Sequence, residues 1–313
     1  MKIAFYLIQS SRPRQWLKNL ALFAAITFTG QLFIWERLVV VVSAVGVFTL
    51  LTSGIYLFND IIDAPKDRLH PFKRKRPIAS GKLPVPTALF VSIISFFIAL
   101  GFAAKLSAFF FISCLAYLLL HVLYSLWLKS IPIVDLLAIA SGFILRVYAG
   151  ALVIDAHMNV WFLLTVVSAA LFMAVGKRRS EMTLLTNSGL SASQHRKVLT
   201  HYTPTLLDVY TAMFANTTWL SYALFTFLQP PVVPTRARLV GILAILPRTL
   251  SAQKLLMITI PVVIYSVMRY LQLIYEQNKG ESPERVLLSD KPLLFSTLLW
   301  GVMVIGILYV FAA

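Results

Sequence analysis

The chain has 313 residues, 59% of them hydrophobic and 13% charged, with 28 Lys and Arg against 12 Asp and Glu for a formal net charge of +16. Soluble globular domains devote about a quarter of their residues to charge, so this composition excludes that class and indicates a polytopic membrane protein. The basic excess does not indicate a nucleic-acid partner, because Lys and Arg in a membrane protein first report which loops face the cytoplasm.

Nine apolar segments follow in chain order, near 17–35, 37–58, 85–104, 106–127, 132–153, 159–176, 205–228, 254–275 and 292–312. Nine spans of about 20 residues use about 180 positions and leave little for a soluble domain, so 1–313 is expected to form one domain. The start has an apolar run, Ala4–Ile8, followed by Arg12 and Arg14, the reverse of a secretory signal, and is expected to be retained. One set of alternating loops holds 20 of the 28 basic residues and the other holds 6, which places the N-terminus and the 59–84 loop in the cytoplasm. The single cysteine, Cys114, lies in an apolar run and can form no intramolecular disulfide.

Where the second span meets water stand Asn59, Asp60, Asp63 and Asp67, a large share of so few acids. At about 100° per residue the three carboxylates fall within an arc of about 80° on one helical face. Pro65 is expected to kink or end that helix. Three carboxylates this close repel one another without a cation, and their type suits Mg²⁺, which takes one or two carboxylates and fills its shell from phosphates and water. The adjoining run Lys73, Arg74, Lys75 and Arg76 supplies cations that match phosphate oxygens, with Arg76 the first choice and Lys73 the second. Topology alone also accounts for a Lys- and Arg-rich loop.

Further along, Arg146 lies deep in the fifth span, where an uncompensated arginine costs about 2.5–3.5 kcal/mol, so it is expected to face the interior. Asp135, 11 residues earlier, shares its face. The alternative is a structural partnership between Arg146 and another buried polar group. Lys177, Arg178, Arg179 and Glu181 form a second charged group at the end of the sixth span. Asp208 and Arg269, with Tyr265 and Tyr270, read as interfacial residues, and His121 and Cys114 read as packing. Arg12, Arg14, Trp16 and Lys18 read as an interfacial anchor or a contact for an anionic lipid head group. Polar stretches 187–204 and 277–292 are long enough to be ordered loops over a site. The apolar run Leu239–Leu246 is too short to span.

The motif Asn-Asp-x-x-Asp-x-x-x-Asp from Asn59 to Asp67, the nine spans and the basic loop together resemble the UbiA superfamily of intramembrane prenyltransferases. Within it the chain looks most like the decaprenyl-phosphate phosphoribosyltransferase branch. The stretches Arg12–Asn19, Asp67–Pro71 and Lys73–Gly81 carry that resemblance, with Leu128-Lys129, Asp135, Gly142–Arg146, Gly176–Glu181, Arg269-Tyr270 and Asp290–Pro292. It implies an all-α bundle of nine transmembrane helices around a central cavity open to the cytoplasmic side of a prokaryotic cytoplasmic membrane. It also implies Mg²⁺-dependent transfer of 5-phosphoribosyl from phosphoribosyl pyrophosphate to a polyprenyl phosphate. Asp60, Asp63 and Asp67, with Asn59, would then hold Mg²⁺. Lys18, Lys73, Arg76, Asp135, Arg146, Lys177, Arg178, Glu181 and Arg269 would bind substrates.

One departure bears on the donor. Aromatic prenyltransferases of the superfamily carry a second aspartate-rich motif near the sixth and seventh helices, whereas here the only acids between 176 and 210 are Glu181 and Asp208. Cations in that place favour a donor with an additional phosphate. The competing readings are a UbiA-type enzyme moving an isoprenoid from its diphosphate to a small acceptor, and a transporter or channel for an anionic solute.

Overall fold

The computed structural model describes residues 2–69, 73–188, 197–229, 252–277 and 283–310, and every regular element among them is helical. The α-helices are α1 (Lys2–Ser10), α2 (Phe23–Phe28), α3 (Trp35–Leu69), α4 (Val85–Leu106), α5 (Ala108–Leu126), α6 (Val134–Val153), α7 (Val160–Ser188), α8 (Pro204–Leu228), α9 (Ile260–Tyr275), α10 (Pro283–Ser289) and α11 (Lys291–Ile305). The run Leu239–Leu246, residues 70–72 and parts of the 187–204 and 277–292 loops lie outside the described residues.

Seven helical segments among the described residues are long and apolar enough to cross a membrane: Trp35–Leu69, Val85–Leu106, Ala108–Leu126, Val134–Val153, Val160–Thr183, Leu255–Tyr275 and Lys291–Tyr309. The expected spans at 17–35 and 205–228 stand apart from these. The first is a 3₁₀ helix, Pro13–Leu22, followed by the six-residue α2 and a turn rather than one α-helix. The second is a 25-residue helix, α8, whose Thr205, Asp208, Thr211, Asn216, Thr217, Thr218 and Thr226 lower its apolarity. Of the two outcomes expected at Pro65, a kink or an end, the end does not occur, since α3 continues through it to Leu69.

The chain forms two compact units, 1–157 with 193–201 and 158–192 with 202–313. In the first, α4 buries Ala88, Ser92, Ser95, Ala99 and Ala103, a stripe at helical spacing whose small side chains let α3 come close. Ser92 Oγ donates to the Gly54 carbonyl at 2.9 Å, and a Cβ on Gly54 would lie 3.1 Å from Ser95 Cβ. The opposite side of α4 shows Phe90 and Phe97, suited to lipid. α5 buries Phe110, Cys114 and Tyr117. Phe110 packs tilted and Tyr117 edge-on against Phe48 of α3. The closest approach is at Gly150 of α6, where a Cβ would lie 2.0 Å from the carbonyl oxygen of Leu22. In the second unit α7 packs along α8 and α9 along α11, and Phe172, Ala215, Val267, Tyr270, Ile274 and Leu293 belong to one buried cluster. Hydroxyls in these apolar helices turn back on their own backbone, as with Ser53 on Thr49 O, Ser95 on Val91 O and Thr211 on Leu207 O.

Candidate active site

The last turns of α3 carry Asn59, Asp60, Asp63 and Asp67, and Asp60 and Asp67 are buried there. Beyond α3, the 3₁₀ turn Lys73–Lys75 leads into a tight loop closed by Ser80 N–H on Arg76 O at 2.8 Å and Leu83 N–H on Pro77 O at 3.0 Å. Ile78 and Leu83 anchor this loop by packing with Leu57, Ala64 and Ala88. That anchorage aims Arg76 back at the helix, with Nη1 2.7 Å from Asp67 Oδ2 and 3.2 Å from Asp60 Oδ1.

Arg12 also reaches Asp60. It lies between α1 and the 3₁₀ helix with a left-handed backbone, φ 54° and ψ 66°, and its Nη2 donates to the same Asp60 Oδ1. Its guanidinium also sits 5.1 Å from the centroid of the Tyr56 ring, within cation–π range. Asp63 turns elsewhere: Lys129 Nζ is 2.6 Å from its Oδ1, and Asn59 Nδ2 donates to its Oδ2 at 3.0 Å. Asn59 Oδ1 in turn accepts from Ser125 Oγ at 3.0 Å.

Asp60 and Asp67 thus face one position, while Asp63 is engaged by Lys129. Among the described residues no group of three His, Cys, Asp or Glu could hold a metal ion. Arg12, Arg76 and Lys129 stand beside the three acids and offset their mutual repulsion. Two of the three do converge, since Asp60 and Asp67 both bond one guanidinium nitrogen. That pair fits Mg²⁺, whose remaining oxygens come from phosphate and water. A cavity of about 260 Å³ opens beside Asp60, lined also by Gln9, Ser10, Arg12, Lys75, Arg76 and Pro77.

Farther along the first unit, Arg146 is 4% exposed and donates to Asn19 Oδ1 at 3.1 Å, to the Gly142 carbonyl at 3.0 Å and to the Tyr117 hydroxyl. Asn19 donates onward to Thr49 and Thr52. Its neighbour Lys18 is half-buried in the same 3₁₀ helix. Asp135 is fully buried in the first turn of α6, about 16 Å along the axis from Arg146 at 1.5 Å per residue. Lys73 opens the 3₁₀ turn before Arg76.

The second unit holds the other expected residues. On α7, Arg178 pairs with Glu181 at 2.8 Å, and Lys177 precedes it, half-buried. Arg179 and the Tyr275 hydroxyl both donate to Asp208 Oδ1, at 2.6 and 2.8 Å. Arg269 grips Asp290 with Nε at 3.1 Å and Nη2 at 2.7 Å, and Asp290 also caps α11 by accepting from Leu293 N–H. Sequence reasoning missed Arg12, Lys129 and Ser125 as neighbours of the acids. Their basic or polar character was visible, but nothing local to them pointed to α3.

The sequence profile of the UbiA prenyltransferase family matches residues 20–295. The chain belongs to that family. Decaprenyl-phosphate phosphoribosyltransferase of Corynebacterium glutamicum is 33% identical to this UbiA family member over 310 residues, 97% of this chain and 87% of that protein. The Mycolicibacterium smegmatis protein of the same name is 32% identical over 302 residues, 94% of this chain and 89% of that one. Among solved structures, a UbiA homolog from Archaeoglobus fulgidus bound to GPP and Mg²⁺ has a TM-score of 0.67 at 18% identity, covering 97% of this chain and 99% of that one. The family is one of transferases, its fold here is UbiA-like, and the apolar helices make this member an integral membrane protein.

Proposed function

We propose that this UbiA family member transfers the 5-phosphoribosyl group of phosphoribosyl pyrophosphate to a long polyprenyl phosphate and releases pyrophosphate. The observation that carries this reading is the pairing of Asp60 and Asp67 on one cationic position, beside a cavity lined with Arg12, Lys75 and Arg76. Two relatives named decaprenyl-phosphate phosphoribosyltransferase, similar over nearly the whole chain, support phosphoribosyl transfer to a polyprenyl phosphate.

Asp60 and Asp67 would hold Mg²⁺, with Asn59 and Asp63 at the adjoining turns, and the ion would offset charge on the departing pyrophosphate. Arg76 and Arg12, which now rest on those carboxylates, would donate to phosphate oxygens instead. The bond from C1 of the ribose to the pyrophosphate oxygen breaks, with its electron pair leaving on that oxygen, while an oxygen of the acceptor phosphate bonds C1. The acceptor is already an anion and requires no strong base, so positioning and electrostatics carry the reaction. Lys18 would meet the acceptor's phosphate. The bundle would work as a single transferase domain of nine crossings, its donor site on the cytoplasmic side of a prokaryotic membrane, where a water-soluble donor meets a lipid acceptor.

The test supplies purified protein with labelled phosphoribosyl pyrophosphate, Mg²⁺ and polyprenyl phosphates of several lengths. A lipid-linked phosphoribosyl product is expected, falling about 100-fold or more in Asp60→Ala. A parallel arm offers an isoprenoid diphosphate with small acceptors. Turnover there, and no phosphoribosyl lipid at any length, would overturn the proposal.

A further inference from the structure

We infer that the cavity beside Asp60 seats the sugar 5-phosphate end of the donor, so that Gln9, Ser10 and Lys75 select a phosphosugar over an isoprenoid. This rests on the reading of Asp60 and Asp67 as the diphosphate end of the site.

Size and chemistry point the same way. At about 260 Å³ the space is smaller than the roughly 300–1,000 Å³ of pockets for drug-sized ligands, so it takes a fragment of a donor and not a long chain. Its wall offers an amide, a hydroxyl, two guanidiniums, an ammonium and one carboxylate, with Pro77 the one apolar residue beside the aliphatic stems of the long side chains. An isoprenoid tail would leave those groups desolvated, whereas a ribose with a phosphate would bond them.

Ser10 is the sharper observation. It is 2% exposed and lines the cavity, yet its Oγ has no hydrogen-bond partner among the described residues. Buried hydroxyls are normally satisfied, and nearly every other buried Ser or Thr in these helices is bonded to a backbone carbonyl. The left-handed backbone of Arg12 turns the chain just after Ser10, so the end of α1 and the Arg12 guanidinium border one space. Such a conformation in a non-glycine residue persists where the surroundings enforce it, and it gathers at ligand sites. Lys75, next to Arg76, is exposed at this cavity. Asp60 belongs both to the carboxylate pair and to the cavity wall, which joins a diphosphate at α3 to a phosphosugar reaching toward Ser10.

The experiment measures binding of ribose 5-phosphate and of inorganic pyrophosphate, each with Mg²⁺, by calorimetry on the full chain in detergent, without acceptor or turnover. Lys75→Ala and Gln9→Ala change exposed side chains and should fold normally; Ser10→Ala deletes one hydroxyl. Each is expected to weaken ribose 5-phosphate about tenfold, the loss of one charge-assisted or buried hydrogen bond, and to leave pyrophosphate within about twofold. Unchanged ribose 5-phosphate binding in all three variants, or equal weakening of both ligands, would overturn the inference. Product formation from phosphoribosyl pyrophosphate with unchanged binding in the variants sinks the inference but not the proposed reaction. Selective loss of ribose 5-phosphate binding in a protein that makes no phosphoribosyl lipid does the reverse.

Discussion

Among the described residues Arg146 donates its hydrogen bonds to neutral groups, the Asn19 and Tyr117 side chains and the Gly142 carbonyl, with its guanidinium over the rings of Tyr117 and Phe143. Truncation would strand buried polar atoms at about 1–3 kcal/mol each, and a lysine could not reproduce the planar fork. Arg146→Ala is therefore expected to lower the unfolding temperature in detergent and Arg146→Lys to lower it less. Unfolding at the parent temperature in both would refute this structural role. The carboxylates divide differently. Asp60 and Asp67 share one cation position while Asp63 is held by Lys129, so Asp67→Asn is expected to raise the Mg²⁺ concentration giving half-maximal activity, and Asp63→Asn to leave it nearly unchanged. Equal shifts in a Mg²⁺ titration would show that all three acids serve the ion alike. The trio and Arg76 were legible in the sequence because helical periodicity and a short loop bring them together. Arg12 and Lys129 were not, because 48 and 66 residues separate them from their partners and membrane topology already explains a basic residue in those loops.

Among the elements, α3 shows how a tertiary contact overrides a local breaker. Proline removes one backbone hydrogen bond and crowds the preceding turn, yet Asp60 and Asp67 on either side of Pro65 are tied to the same Arg76 nitrogen. In Arg76→Met the turn from Pro65 to Leu69 is expected to fray, seen as faster amide hydrogen exchange there and unchanged exchange near Leu51. Undiminished protection in that turn would show that Arg76 does not hold it. The helix pairs depend on small residues to different degrees. A Cβ on Gly150 would meet the Leu22 backbone at 2.0 Å, whereas one on Gly54 would meet the Phe96 ring at 2.8 Å, a side chain that can move. Gly150→Ala is thus expected to reduce folded yield and thermal stability more than Gly54→Ala; the opposite order would contradict the packing described. Apolar content at 17–35 suggested a span but could not distinguish an α-helix from the 3₁₀ helix and short α2 that press against α6 at Gly150.

For the molecule as a whole, each acid of the α3 trio has a cation of the protein beside it, so folding is expected not to depend on a metal, unlike domains in which metal binding supplies the folding free energy. Chelation is expected to stop turnover while moving the unfolding temperature by no more than about 2 °C, the shift that under 1 kcal/mol produces in a domain of this size. A large drop on adding EDTA would mean that the ion is structural. Cys114, fully buried in α5, is the chain's only cysteine, and this leaves the water-facing surface without a natural thiol. A Lys75→Cys chain would then take a maleimide dye at one place without any cysteine having to be removed. The rate of that labelling becomes a meter for whatever fills the space beside it, readable on unmodified helices in a native membrane.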